Sequence, residues 1–101
     1  MDAKAKKKIR AWLIPARGEC HEVELANTLE AFQKAVGGYI ETVHCAGKLV
    51  YIVNEEGVIL DLPENKHLPA FRGDVLLVGV DGDEFRSLTE REIRVARRFV
   101  G

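Results

Sequence analysis

The sequence predicts a single α+β domain, a mainly antiparallel sheet of about six to seven strands with two helices packed on it, in the order ββαβββββα. Three observations carry this. Residues 9–14 and 20–25 alternate between two side-chain sets, the period of a strand with distinct faces. Residues 49–53 (LVYIV) are apolar without a break, as in a strand covered from both sides. Two segments, starting near Asn27 and at Thr89, open with helix-capping side chains and continue with apolar residues at helical spacing.

In chain order, the lysine-dense residues 1–8 have no apolar pattern and read as a flexible basic tail, leaving residues 9–100 as the domain. Strand 9–14 places Ile9, Ala11 and Leu13 on one face and Arg10, Trp12 and Ile14 on the other, and Pro15 ends it. Strand 20–25 returns as a hairpin. The first helix is expected to be capped by Asn27, with Glu30 reaching back and Leu29, Phe32 and Val36 facing inward; Gly37 and Gly38 stop it. Strands 39–45 and 49–53 follow, then a turn at Asn54, Glu55, Glu56 and Gly57, with Gly57 expected at positive φ. Val58, Ile59 and Leu60 read as a return strand broken at residues 62–65 (LPEN). Strand 74–80 turns through Asp81, Gly82 and Asp83 into residues 84–88. The last helix has a complete capping box in Thr89 and Glu92, with Ile93, Ala96 and Val100 inward and Arg91, Arg94 and Arg98 outward.

At 101 residues, 47% hydrophobic and 31% charged, the chain is a globular domain with one modest core. No run approaches the roughly 18 apolar residues of a membrane-spanning helix, and no secretory signal opens the chain, so a cytoplasmic protein is expected. Its net charge of −1 conceals a division. Residues 19–84 hold 13 acids against 4 bases, a balance of −9, and the two ends hold 11 bases against 3 acids, a balance of +8. Such a division either steers a polyanion to the ends or pairs the ends with the middle, within the fold or across a homodimer.

The polar residues crowd around the central ribbon. A tight turn needs one glycine and one Asn or Asp, whereas here Asn54, Glu55 and Glu56 are followed by Asp61 and Asn65. Amides donate and accept, and carboxylates accept from hydroxyls or amines, so Asn54, Glu55, Glu56 and Asn65, with Tyr39 beside them, are the candidate ligand-binding residues. The plainer alternative is that the two amides cap local backbone while the glutamates are solvated. Acid–base catalysis by Glu55 or Glu56 is disfavoured, because adjacent turn residues diverge and no positioned nucleophile accompanies them. A metal site from Cys20, His21, His44, Cys45 and His67 is disfavoured too, since neighbours on a strand point to opposite faces. No metal or other cofactor is therefore expected, and the cysteines read as free or buried thiols in a reducing compartment. The arginines Arg91, Arg94 and Arg98 give a nucleic-acid alternative, with the solvated helix face as the plain reading and no aromatic stacking platform expected beside it. Trp12, Phe32, Phe71, Phe85, Phe99, Tyr39 and Tyr51 are assigned mostly to the core, with the Tyr39 and Tyr51 hydroxyls able to line a site.

Three stretches in one order, NTLEAFQKAVGGYIETV, NEEGVILDLPEN and VGVDGDEFRSLTEREI, span most of the domain. On these motifs the chain resembles the DUF3846 family of small bacterial and bacteriophage proteins. The matching positions include Asn27, Thr28, Gly37, Gly38, Tyr39 and Glu41, then Asn54 to Gly57, Leu62, Pro63 and Asn65, then Gly79, Phe85, Ser87, Leu88 and Thr89. The resemblance implies a domain of phages and mobile elements and brings no established activity with it. The lysine-rich start and the Cys20-His21 and His44-Cys45 pairs depart from the family pattern, so it assigns them no role. Together these readings predict a non-enzymatic binding domain. Its partner is expected to be a small molecule or nucleotide, or a host protein in counter-defence, with a homodimer able to share the site. A bound nucleotide requires cations from Arg72, Arg86 or the last helix.

Overall fold

The computed structural model describes residues 7–101. Six strands form one sheet: β1 (Lys8–Ile14), β2 (His21–Ala26), β3 (Ile40–Ala46), β4 (Leu49–Asn54), β5 (Val75–Asp81) and β6 (Glu84–Arg86). The helices are α1 (Leu29–Val36) and α2 (Glu90–Phe99), giving the order ββαββββα of an α+β fold. The sheet runs β2-β1-β5-β4-β3 with every pairing antiparallel, and β6 pairs with β5 in line with β1.

Alternation along the strands divides the core between the two faces. Ile9, Ala11, Ile52, Leu76 and Val78 pack with Phe32 and Val36 of α1, and Trp12, Ile14, Val53, Val75 and Leu77 pack with Ile93 and Ala96 of α2. The faces expected for residues 9–14 are therefore those observed. β5 is buried along Val75, Leu76, Leu77 and Val78 because both layers meet on it, and β4 beside it is paired on both sides. Phe85 meets Phe32 edge to face at 5.2 Å, tying β6 to α1.

Several local expectations are revised. The basic tail assigned to residues 1–8 falls mostly outside the described residues. Lys8 already belongs to β1, and the Lys7 carbonyl accepts from the Asn27 amide at 2.8 Å. Thr28, not Asn27, caps α1: its hydroxyl accepts from the Ala31 N–H at 3.1 Å. Asn27 is diverted to a distant contact, donating to the Phe85 carbonyl at 3.0 Å. Leu29 lies outside the buried stripe and is exposed. Gly37 ends α1 at φ 83°, a conformation that costs glycine little. The capping box of α2 is complete, and Arg86 reinforces it by gripping both Glu92 oxygens at 2.9 and 3.1 Å.

The largest departure follows β4. Val58, Ile59 and Leu60 form no strand; residues 55–61 wind through consecutive turns, with Leu60 N–H on the Glu56 carbonyl at 2.8 Å and Leu62 N–H on Gly57 at 2.9 Å. Gly57 has no positive φ; that conformation falls on Asp61 at φ 55°. Glycine is needed at 57 for closeness, because a Cβ there would stand 3.1 Å from the Arg72 carbonyl oxygen.

Candidate functional site

Among the described residues Asn54 and Asn65 are the buried polar ones, and their surroundings explain why. Asn54 donates to the Val36 carbonyl at 3.1 Å and accepts from the Glu56 N–H at 2.7 Å, fastening the end of α1 to the turn after β4. Asn65 has both its donors and both its acceptor positions occupied. It donates to Ile14 and Gly73 carbonyls at 2.9 and 3.0 Å and accepts from His67 and Leu68 N–H groups, both at 2.9 Å. Fully occupied by main chain, Asn65 has no group to offer a ligand, so its place among the candidate binding residues is withdrawn. Asn54 contributes a wall and an anchor, not a recognition group. The plainer reading of the amides is the one the structure supports.

The anchors nevertheless build a cleft at the place the sequence indicated. The 64–72 segment folds back over one face of β3 and β4, pinned by Asn65 and by Phe71, whose ring meets Tyr51 at 5.6 Å, and closed on itself by a backbone β-bridge between Glu64 and Arg72. Between this segment and the strands lies a cavity of about 340 Å³. Val43, Val53, Val58 and Phe71 supply apolar wall; Glu41, Glu55 and Glu64 bring three carboxylates against the single guanidinium of Arg72. Arg72 itself is held by Asp61 at 3.3 Å and by the Leu62 carbonyl at 3.2 Å. The lining is thus net acidic, which disfavours an anionic nucleotide.

Of the predicted residues, Asn54 and Glu55 line this cleft, while Glu56, Asn65 and Tyr39 do not. Tyr39 is exposed and contributes its carbonyl, which accepts from the Glu55 N–H at 2.8 Å. Glu41, Glu64 and Phe71 were not among the candidates, and Arg72 was expected there only as a cation for a nucleotide. Glu41 had a signal: it shares its strand face with Val43 and Cys45, an apolar face on which a carboxylate needs a reason.

Beside the cleft, the turns after β4 carry the most exposed apolar run among the described residues. Val58, Ile59 and Leu60 are 74%, 81% and 49% exposed. The hydrogen-bonded turns hold these side chains outward as a preformed knuckle.

The remaining constellations separate in space. β2 and β3 are opposite edges of the sheet, so Cys20-His21 and His44-Cys45 stand at opposite margins. His21, His44 and His67 each contact a backbone carbonyl, of Glu19, Gly47 and Gly18 respectively. Burial raises the Cys20 thiol pKa. Burial first, then a hydrogen bond with Cys45, pushes the Tyr51 hydroxyl up to about 12. Among the described residues no group of three His, Cys, Asp or Glu is placed to hold a metal. On α2, Arg91, Arg94 and Arg98 are exposed as expected, and they form no ion pair among the described residues. Phe99, assigned to the core from sequence, is 76% exposed beside them, and Arg97 lies 4.9 Å over the Trp12 ring. Arg86 is committed to Glu92 and cannot serve as a free cation.

Fold and site together define an α+β domain with an acid-lined cleft and an exposed apolar knuckle. The chain belongs to the family described as a domain of unknown function, DUF3846, whose model matches residues 9–100. No curated protein and no solved structure matches it.

Proposed function

We propose that this protein is a non-enzymatic binding domain that contacts another protein through the knuckle at residues 58–60 and the adjoining cleft. The observation that carries the reading is the outward display of three consecutive apolar side chains on an ordered turn. Burying each would contribute roughly 1.5–3 kcal/mol, so a fold that leaves all three in water gives up stability a protein contact can recover. The acidic lining favours a basic or amphipathic partner surface over a nucleotide. Paired acid–base work by Glu55 and Glu56 has no support in the geometry, because Glu55 lines the cleft and Glu56 does not. The two free cysteines fit work in a reducing compartment such as the cytoplasm.

The test replaces Ile59 with a photo-crosslinking amino acid, with the exposed Lys66 position as control, in cells producing the protein. Crosslinks to a protein from position 59 and none from 66 are expected. A thermal shift with nucleotides or small metabolites, unchanged by Ile59→Lys and without crosslinks, would overturn the reading.

Nucleic-acid binding through α2 is the second reading, and one observation favours it: Phe99 supplies, next to the arginines, the exposed aromatic ring that base stacking uses. It requires affinity for single-stranded DNA that falls steeply with salt and with loss of Arg91, Arg94 and Arg98.

A further inference from the structure

The outer face of α2 and the knuckle after β4 are complementary in both charge and polarity. On α2, Arg91, Val95 and Arg98 stand four and three residues apart and so share one side of the helix, flanked by Arg94 and Phe99. Val95 is 45% exposed, so this face is an apolar strip between arginines and not a uniformly solvated surface. The knuckle has an acidic surround: Glu55 and Glu56 precede it in the chain, and Glu55 and Glu64 line the adjoining cleft with Val58, against the single Arg72.

The two surfaces do not meet within one chain. Val58, Ile59, Val95 and Phe99 all stay exposed, so neither surface covers the other. Neither surface suits its own kind, because knuckle against knuckle opposes carboxylates and α2 against α2 opposes guanidinium groups.

We propose that the chain associates with a second copy of itself head to tail, the knuckle of one copy seated on the α2 face of the next. This rests on reading the knuckle as a contact surface, and it supplies the partner. Val58, Ile59 and Leu60 meet Val95 and Phe99 at the centre, and the carboxylates meet the arginines around it. The division of charge between the middle and the ends of the chain then has a structural use: it sets the orientation of the pair. The contact is heterologous, closing where the rotation allows and otherwise extending as a row. Its few apolar side chains place it among small, weak interfaces, with a Kd on the order of tens of micromolar at low salt.

Sedimentation equilibrium on the full chain tests this, from about 10 µM to about 1 mM protein, in low salt and at about 0.5 M salt where charge attraction is largely screened. The expected result is a mass rising above the 11.3 kDa of one chain with concentration, less so in high salt. Two charge-reversed chains sharpen it: Arg91→Glu with Arg94→Glu and Arg98→Glu, and Glu55→Lys with Glu56→Lys and Glu64→Lys. Each alone carries like charge on both surfaces and stays a monomer. Mixed in equal amounts they associate again, since the acidic α2 of one fits the basic knuckle of the other. A wild-type chain that stays at one-chain mass throughout overturns the self-pairing, and so does a mixture that fails to associate. The same holds if either reversed chain alone associates like wild type. A monomeric wild type that still crosslinks another protein from position 59 would leave the knuckle as a contact surface. One that instead binds DNA through α2 would assign that helix to nucleic acid.

Discussion

Replacing Asn65 by alanine removes an anchor that holds four backbone groups at once, and the cost follows from where those groups lie. The Ile14 and Gly73 carbonyls are in buried residues, so losing the amide leaves two acceptors dry, at about 1–3 kcal/mol each. The His67 and Leu68 N–H groups belong to half-buried residues and can rehydrate, which limits their loss to about 0.5–1 kcal/mol each. The expected destabilisation of Asn65→Ala is about 3–8 kcal/mol. With roughly 2 cal/mol/K of unfolding entropy per residue over 101 residues, this lowers Tm by about 15 °C or more. Guanidinium unfolding followed by the fluorescence of the single, buried Trp12 and by circular dichroism measures it. Asn54→Ala, with two such bonds, should lose about half as much. A loss below about 1 kcal/mol for Asn65→Ala would refute the assignment of this amide as the anchor of the 64–72 segment.

Three further outcomes are expected. Arg86 holds the Glu92 carboxyl below its ordinary value of 4.5, so the folded state binds that proton less readily than the unfolded chain. The stabilisation is therefore fully present above pH 4.5 and is lost as pH falls through the lowered folded value, and Glu92→Gln should flatten that limb of a stability–pH curve. Gly57→Ala should cost about 1 kcal/mol in chemical denaturation, because crowding against the Arg72 backbone exceeds the gain from a less flexible unfolded chain. With its pKa pushed up to about 12, Tyr51 should remain about nine-tenths neutral at pH 11 in an ultraviolet titration.

The parts of the fold legible in the sequence were those fixed by neighbours in the chain. Alternation assigned both faces of residues 9–14, and the Thr89 and Glu92 spacing announced the α2 capping box. What was misread depended on distant partners. Asn27 and Thr28 are both competent caps, and the Phe85 carbonyl, 58 positions away, takes Asn27 out of contention. Val58, Ile59 and Leu60 have the composition of a strand, but the turns begun by Asn54 and ended by Asp61 in left-handed conformation carry them away from the sheet. A cavity lies where the polar residues crowd in the sequence, but Asn65 there is bound wholly to main chain. Polar residues near a turn mark a place where the backbone departs from the ladder, and buried amides do that work as well as binding residues do. Glu41, Phe71 and Arg72 converge from separate strands and loops, a meeting that no local pattern records.

If the knuckle is ordered for contact and adds nothing to the core, Ile59→Lys separates the two properties when stability and contact are measured on the same preparation. The expected result is an unfolding free energy within about 0.5 kcal/mol of wild type, as for an exposed substitution, together with loss of the contact made through residues 58–60. A fall in stability of 2 kcal/mol or more, in the range of core truncations, would contradict it, and so would a contact that survives the added charge unchanged.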